Sequence, residues 1–278
     1  MNEQNEIKVI NGASSIVDSL CLKYAKLFST TRTAVNDRAA SISVRQLSDF
    51  DKYLRPLSKK FPCISDLIAN KKVLDYGCAR GFQCVAMLCY DPIEMVGVDI
   101  QKDRIECGRE LISQLGVGDR INLFTKIPDE YQGYFDVVVT LNCMEHFPNP
   151  DQSLREMRDA LKPGGRLLLA FNPTWFSAYG SHQNEFTMAP WLHLLFPESS
   201  FMRTRGHLMG DFSLKSYQDR WLNKMSVRKF RNTIERSGMI IESIDYDCSL
   251  GMRWTPHIPI IRELFVSGIA CVLRKPHS

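Results

Sequence analysis

Residues 73–81 read VLDYGCARG: a short apolar strand pattern, an acid, then a turn of small residues running directly into a helical pattern. In an open α/β sheet this order sets Asp75 and the backbone of Gly77 to Gly81 at the carboxyl end of a buried strand, where such sheets bind ligands. Gly77 and Gly81 let the main chain turn sharply and come close to a ligand, because no Cβ stands in the way. Eighteen residues beyond Gly81 a second strand pattern, EMVGVDI, carries an acid at Asp99. An acid about 20 residues after a Gly-rich turn is the usual partner of ribose hydroxyls. Together the two strand ends predict a site for a nucleoside-containing cofactor.

Outward from this stretch the pattern alternates regularly. It gives strand 72–76, helix 81–90, strand 95–99, helix 102–115, strands 121–124 and 135–140, helix 150–161 and strand 166–171. Strands alternating with helical patterns imply a parallel sheet. Asn149 and Pro150 open the 150–161 helix as cap and first residue, and Pro163-Gly164-Gly165 closes it. Ser226 caps a further helix containing Val227, Phe230 and Ile234, which Gly238 ends. Strands 239–246 and 265–273 complete the pattern. Before residue 71 the chain reads as a helical preface. Ile16, Val17, Leu20, Tyr24, Leu27 and Phe28 share one helix face, and a second mostly helical stretch, 43–69, is broken by Pro56 and Pro62.

Composition narrows the class. The chain has 278 residues, 44% hydrophobic and 24% charged, enough for one large α/β domain with an elaboration. A net charge of +4 with no Lys/Arg block shows no nucleic-acid footprint. Apolar runs stay below 18 residues, and MNEQNEIKV lacks the build of a signal peptide, so the expectation is a cytoplasmic protein with no membrane span. None of the nine cysteines forms a C-x-x-C pair, which favours a reducing compartment over a disulfide framework or zinc site. Cys78, Cys84, Cys89 and Cys107 fall in apolar contexts, where cysteine behaves as a small hydrophobe.

The glycine pattern bears on the cofactor class. A dinucleotide fingerprint requires glycine where this chain has Ala79 and Phe82, a phosphate-cradling G-x-x-x-x-G-K-[ST] is absent, and no tyrosine precedes a lysine by four residues. D-x-G-x-x-x-G with a strand-end acid resembles the class I S-adenosylmethionine-dependent methyltransferases. FDVVVTLNCMEHFPNP (135–150) is similar to that family's fourth strand and following loop, and LKPGGRLLLAF (161–171) to its helix end, turn and fifth strand. The likeness is greatest to the ubiquinone-biosynthesis and natural-product group and covers about residues 71–172, more loosely 226–274. It implies a Rossmann-like doubly wound, mostly parallel seven-stranded sheet with an antiparallel last hairpin, plus an N-terminal helical cap. The implied domains are a cap (1–70) and a methyltransferase domain (71–278), with 172–225 as a substrate-binding insertion or lid. A helical preface in this family often covers the cleft; a plain packing pair of helices is the alternative.

For S-adenosylmethionine, the resemblance implies that Asp75 helps hold the motif loop and the amino-acid ammonium. Gly77, Cys78, Ala79 and Gly81 would supply close backbone, Asp99 would accept from the ribose hydroxyls, Ile100 would pack the adenine, and Asn142 would line the same cleft. Where the family often has an adenine-binding acid, INLFTKIP places Thr125 and Lys126, with Asp129 beyond. Catalytic candidates are His182, His146 and Glu145, with His182 the preferred general base. Glu145, His146 and Glu185 form a candidate divalent-metal set, but Asn142 stands where relatives have a further glutamate, so a metal is not expected. The 172–225 segment holds Trp175, Trp191, Trp221, His182, His193 and His207, with Tyr179, His182, Asn184 and Glu185 as a dense polar group. It reads as an acceptor wall or, alternatively, a satellite core.

Three functions follow. The first is O-methylation of a polar acceptor, with a sugar or glycan terminus in polysaccharide biosynthesis as its specific form. That form rests on aromatic walls beside His, Asn and Glu, and on the likeness of SAYGSH…PWLHLLFPE to methyltransferases of bacterial polysaccharide assembly. The second is a small-molecule methyltransferase of quinone or natural-product type. The third is a non-catalytic binding protein of the same fold.

Overall fold

The computed structural model describes residues 15–28, 50–249 and 254–277. In chain order the elements are α1 (Ile16–Leu27), α2 (Asp51–Lys60), α3 (Ile64–Ile68), β1 (Lys72–Tyr76), α4 (Phe82–Met87), β2 (Glu94–Val98) and α5 (Lys102–Gln114). Next come β3 (Ile121–Phe124), β4 (Phe135–Leu141), α6 (Pro150–Ala160), β5 (Leu161–Phe171), α7 (Leu192–Leu195) and α8 (Glu198–Met209). The last are α9 (Val227–Ser237), β6 (Ile240–Cys248), α10 (Pro259–Phe265) and β7 (Val266–Arg274). The part of the 43–69 expectation before residue 50 lies outside the described residues.

The chain divides into two compact units. One comprises residues 41–172, 227–247 and 268–278; the other 1–40, 173–226 and 248–267. The first is the sheet unit, a seven-stranded sheet in the order β3-β2-β1-β4-β5-β7-β6. β1 through β5 pair in parallel, and β7 runs antiparallel to β5 next to the edge strand β6. This is the doubly wound, mostly parallel sheet with an antiparallel last hairpin that the resemblance implied, its order reversing at β1/β4. Val73, Leu74, Val96, Val138, Val139, Leu167 and Leu168 are buried, because strands covered on both faces need apolar residues at successive positions. Glu242 on β6 ties the edge together by accepting from Arg166 Nε (2.7 Å) on β5 and Arg274 Nε (2.9 Å) on β7.

Two boundaries differ from expectation. β5 begins at Leu161, directly after α6, and Pro163-Gly164-Gly165 lies within it as an irregularity where the β4 pairing skips from Phe135 to Val137. Gly164 (φ 77°) turns the chain there and its N–H donates to the Lys275 carbonyl, so these residues break a ladder rather than close a helix. Pro56 sits inside α2 without breaking it. Cys89 and Cys107 are exposed, unlike Cys78 and Cys84.

In the second unit, α1 starts at Ser15, whose Oγ accepts from the Asp18 N–H while Asp18 Oδ2 accepts from the Ser15 N–H, a reciprocal capping box. Asp18, Cys21 and Ala25 are the residues α1 buries. Asp18 also pairs with Arg203 of α8, and the Ala25 carbonyl accepts from Thr187 Oγ1 at 2.7 Å. Of the predicted apolar face, Tyr24 packs on this unit's core and donates its hydroxyl to the Pro190 carbonyl at 3.1 Å, but Ile16, Val17, Leu20, Leu27 and Phe28 are exposed, so the face that packs is largely not the one the apolar periodicity marks. Trp175, Phe186, Leu192, Phe201, Tyr217 and Leu222 form this unit's own core, where Trp175 and Tyr217 meet edge to face at 4.9 Å. Trp175, Phe186, Phe201 and Tyr217 of 172–225 thus build a satellite core, while Phe176, Phe212 and Trp221 are exposed.

Candidate functional site

The site of the sheet unit is built at the carboxyl ends of β1, β2 and β4. Asp75 pairs in register with Gly97, so the loops after Tyr76 and Val98 leave the sheet side by side. The Gly77 and Cys78 N–H groups both donate to the Val98 carbonyl, at 2.7 and 3.0 Å, which stitches the two loops together. Gly77 (φ 90°) must be glycine on two counts: its conformation, and a Cβ there would stand 2.5 Å from Cys143 Sγ. Ala79 adopts φ 50° and donates its N–H to Asp99 Oδ2 at 3.0 Å. Asp99 Oδ1 accepts from the Gln101 N–H at 2.9 Å. The carboxylate is therefore fixed by one backbone bond on each oxygen, with a lone pair on each still available. Ile100 beside it is exposed, an apolar face next to a fixed acid.

Asp75 lies beneath this loop, 2% exposed. Gln83 Nε2 donates to Oδ1 at 3.3 Å, a long bond, and the Cys84 thiol, a weak donor, to Oδ2 at 3.4 Å. Burial, aided by the Asp99 charge, pushes its carboxyl up to about 7. Gln83 and Cys84 were not singled out in the sequence; the signal for them is only their position one turn into the helix after Gly81. Gly97 and Gly108 are equally cryptic. A Cβ on Gly97 would stand within 3 Å of Cys78 and Cys84 Sγ, and one on Gly108 would meet the Arg80 carbonyl at 2.8 Å.

After β4, Asn142 takes φ 54° and is exposed, its Oδ1 accepting from Asn172 Nδ2 at 3.3 Å. Cys143 Sγ lies 3.5 Å from the Gly77 carbonyl and joins this loop to the motif loop. Glu145 follows, 3% exposed, and neither of its carboxylate oxygens has a hydrogen-bond partner among the described residues. His146 Nε2 is 4.0 Å away. Burial pushes the Glu145 carboxyl up to about 8. Thr125, Lys126 and Asp129 are exposed.

His182 and Glu185 belong to the other unit. His182 has φ 57°, and its carbonyl accepts from Arg220 Nη2 at 3.5 Å. The Glu185 carboxylate accepts from the same nitrogen at 2.7 Å, and the Arg220 side chain is only 6% exposed. Burying a guanidinium demands such a partner, so Glu185 is occupied by an ion pair. His193 is buried with Nε2 2.6 Å from the Trp175 carbonyl, and burial brings its pKa down to about 4, which makes it a neutral core imidazole.

A family model described as a methyltransferase domain matches residues 67–198. The ubiquinone biosynthesis O-methyltransferase of Pseudomonas aeruginosa is 33% identical over 105 residues, 37% of this chain and 45% of that one. The norajmaline N-methyltransferase of Rauvolfia serpentina is 29% identical over 107 residues, 36% of this chain and 35% of that one. The chain thus spans less than half the length of these curated relatives. An S-adenosylmethionine-dependent methyltransferase structure from Mesorhizobium loti superposes with a TM-score of 0.50 at 16% identity, over 81% of this chain and 99% of that one, which shows the fold. The matched span contains the motif loop, the strand-end acid and the loop after β4, and in pattern, sheet order and relatives it is similar to the class I S-adenosylmethionine-dependent methyltransferases.

Proposed function

We propose that the protein transfers a methyl group from S-adenosylmethionine to a small-molecule acceptor, with a hydroxyl oxygen as the receiving atom. The observation that carries the cofactor assignment is Asp99, a carboxylate fixed by the Ala79 and Gln101 N–H groups with one lone pair on each oxygen left for vicinal hydroxyls. The donor set fits the group. Gly77, Cys78, Ala79 and Gly81 bring backbone close, Ile100 offers an apolar face for a base, and weakly held Asp75 suits an ammonium. When bound, the cofactor supplies an electrophilic methyl on a sulfonium.

What remains for the chain is to position the acceptor, exclude water and take a proton. Glu145 is our first choice for the proton: it is buried, unbonded on both oxygens, and titrates near neutrality. His146 and His182 are the further candidates, and residues 172–225 the proposed acceptor-selecting segment. The names of the relatives, one a ubiquinone-biosynthesis O-methyltransferase and one a norajmaline N-methyltransferase, favour a small molecule over the expected sugar or glycan terminus. A reducing, cytoplasmic setting suits nine free cysteines, three of them around the motif loop.

Calorimetric titration with S-adenosylmethionine, followed by transfer of labelled methyl to phenols, catechols, amines, glycans and nucleotide-sugars, tests the reading. Label on a hydroxylated small molecule is the expected result. Label confined to the carbohydrate fraction overturns the acceptor class, and absence of cofactor binding overturns the proposal as a whole.

A further inference from the structure

Three strand ends follow one another across the sheet: β1 with the motif loop, β2 with Asp99, and β3, which Thr125 leaves. β2 and β3 stay in register up to Val98 and Phe124, and the Asp99 N–H donates to the Phe124 carbonyl at 3.1 Å. Thr125 therefore starts its loop directly beside the acid assigned to the ribose. One residue earlier than Phe124, the Leu123 carbonyl accepts from Arg109 Nε at 3.1 Å and Nη2 at 2.6 Å, which pins the end of β3 to α5. The loop thus begins from a fixed point, and Thr125 and Lys126 on it are exposed.

The connectivity of the cofactor sets its direction over these ends. Its amino-acid group and its base leave the ribose on opposite sides. With the amino-acid group at Asp75 on β1 and the ribose at Asp99 after β2, the base extends away from β1 and toward β3. There it meets a hydroxyl and an ammonium: Thr125 Oγ1 can donate or accept, and Lys126 Nζ only donates. Exposed Ile100 adds an apolar face that any purine can cover. Adenine presents an amino group, which needs an acceptor, where hypoxanthine presents a carbonyl, which needs a donor. An ionised carboxylate reserved for the amino group would reject the carbonyl, because acceptor would face acceptor. A threonine hydroxyl rotates to suit either base. We propose that Thr125 contacts the base of the cofactor and that the site therefore takes a hypoxanthine nucleoside about as readily as an adenine one. The proposal rests on the assignment of Asp99 to the ribose.

Calorimetric titration of the full chain with S-adenosylhomocysteine and with S-inosylhomocysteine, its hypoxanthine counterpart, tests this. The two should bind with affinities within about tenfold of each other. Thr125→Asp puts an acceptor in place of the two-way hydroxyl and should widen the preference for S-adenosylhomocysteine by about tenfold or more. Its thermal midpoint should be unchanged, since the side chain is exposed. Binding of neither compound overturns the cofactor assignment and the proposal with it. If S-adenosylhomocysteine binds, the assignment stands, and a wild-type preference of about a hundredfold or more overturns the proposal alone. So does a preference that Thr125→Asp leaves unchanged. Loss of a strong wild-type preference in Asp129→Asn would give the reading of the base to that exposed acid instead.

Discussion

In the unit that contains Pro173–Ser226, buried charge is paired. Asp18 meets Arg203, Arg220 meets Glu185, Arg205 meets Asp211, and neutral His193 is bonded to a carbonyl. In the sheet unit the two deeply buried acids are held differently: Asp75 by one long amide bond and one weak thiol bond, Glu145 by none among the described residues. Leaving a carboxylate buried and unpaired costs several kcal/mol when it ionises, so each keeps its proton to a higher pH. Where a fold pairs its buried charges, they hold the fold together. Where it leaves them under-bonded near strand ends beside a glycine loop, they are free of a structural role in charge pairing and mark the proposed site.

The sharpest way to break that contrast is Glu145→Gln. If Glu145 takes the acceptor's proton, turnover should fall about a hundredfold or more with cofactor affinity unchanged. Stability should respond in the opposite sense. The folded carboxyl titrates at about 8, against an ordinary value of 4.5. Between these two values the native state therefore holds a proton that the unfolded chain has lost, and wild-type stability falls as pH rises through that window. Glutamine removes this loss. Denaturant unfolding should show the two proteins alike near pH 4 and the variant more stable near pH 8, by on the order of 2–4 kcal/mol. A parallel pH dependence in both proteins would return Glu145 to the ordinary solvated acids.

Asp99→Ala should produce the next largest effect, a loss of cofactor affinity of about ten- to a hundredfold, from two charge-assisted hydrogen bonds. Calorimetric titration reads it directly, and unchanged affinity would remove the ribose assignment. The same titration, repeated across pH, tests Asp75. Its carboxyl sits at about 7, so a cationic ligand group should bind with release of a proton and affinity should fall as pH drops below that value. Binding that is flat between pH 6 and 8 would show that no cation docks there.

The same contrast explains what was legible in the sequence. β1 to β5 announce themselves because buried parallel strands require unbroken apolar runs, and Gly77 and Asp99 because a glycine turn and a strand-end acid have few substitutes. Cys143, Gln83 and Gly97 act through side-chain packing that no local period encodes. The face of α1 was misleading for a physical reason: its apolar period is real, but Asp18 is held by Arg203 and Ser200, and those bonds fix the opposite side inward. In residues 172–225 Trp175, Phe186, Phe201 and Tyr217 serve a local core, so aromatic abundance alone does not separate a core from an acceptor wall.

The smallest effect is the most discriminating for the Pro173–Ser226 unit. Glu185 was a candidate metal ligand, yet its carboxylate is bonded to Arg220, whose side chain is 6% exposed while that of Glu185 is 53% exposed. Glu185→Ala would leave the guanidinium buried without its acid. Because the carboxylate is half in solvent, the full penalty of breaking a buried pair does not apply, and a destabilisation of about 1–2 kcal/mol is expected. Thermal unfolding and turnover, measured on the same variant, separate the roles. A lower midpoint with turnover intact at a temperature where the variant is folded assigns Glu185 to the fold, as pairing predicts. An unchanged midpoint with turnover lost would mean that a paired charge serves chemistry here, and the rule drawn from the two units would not hold in this one.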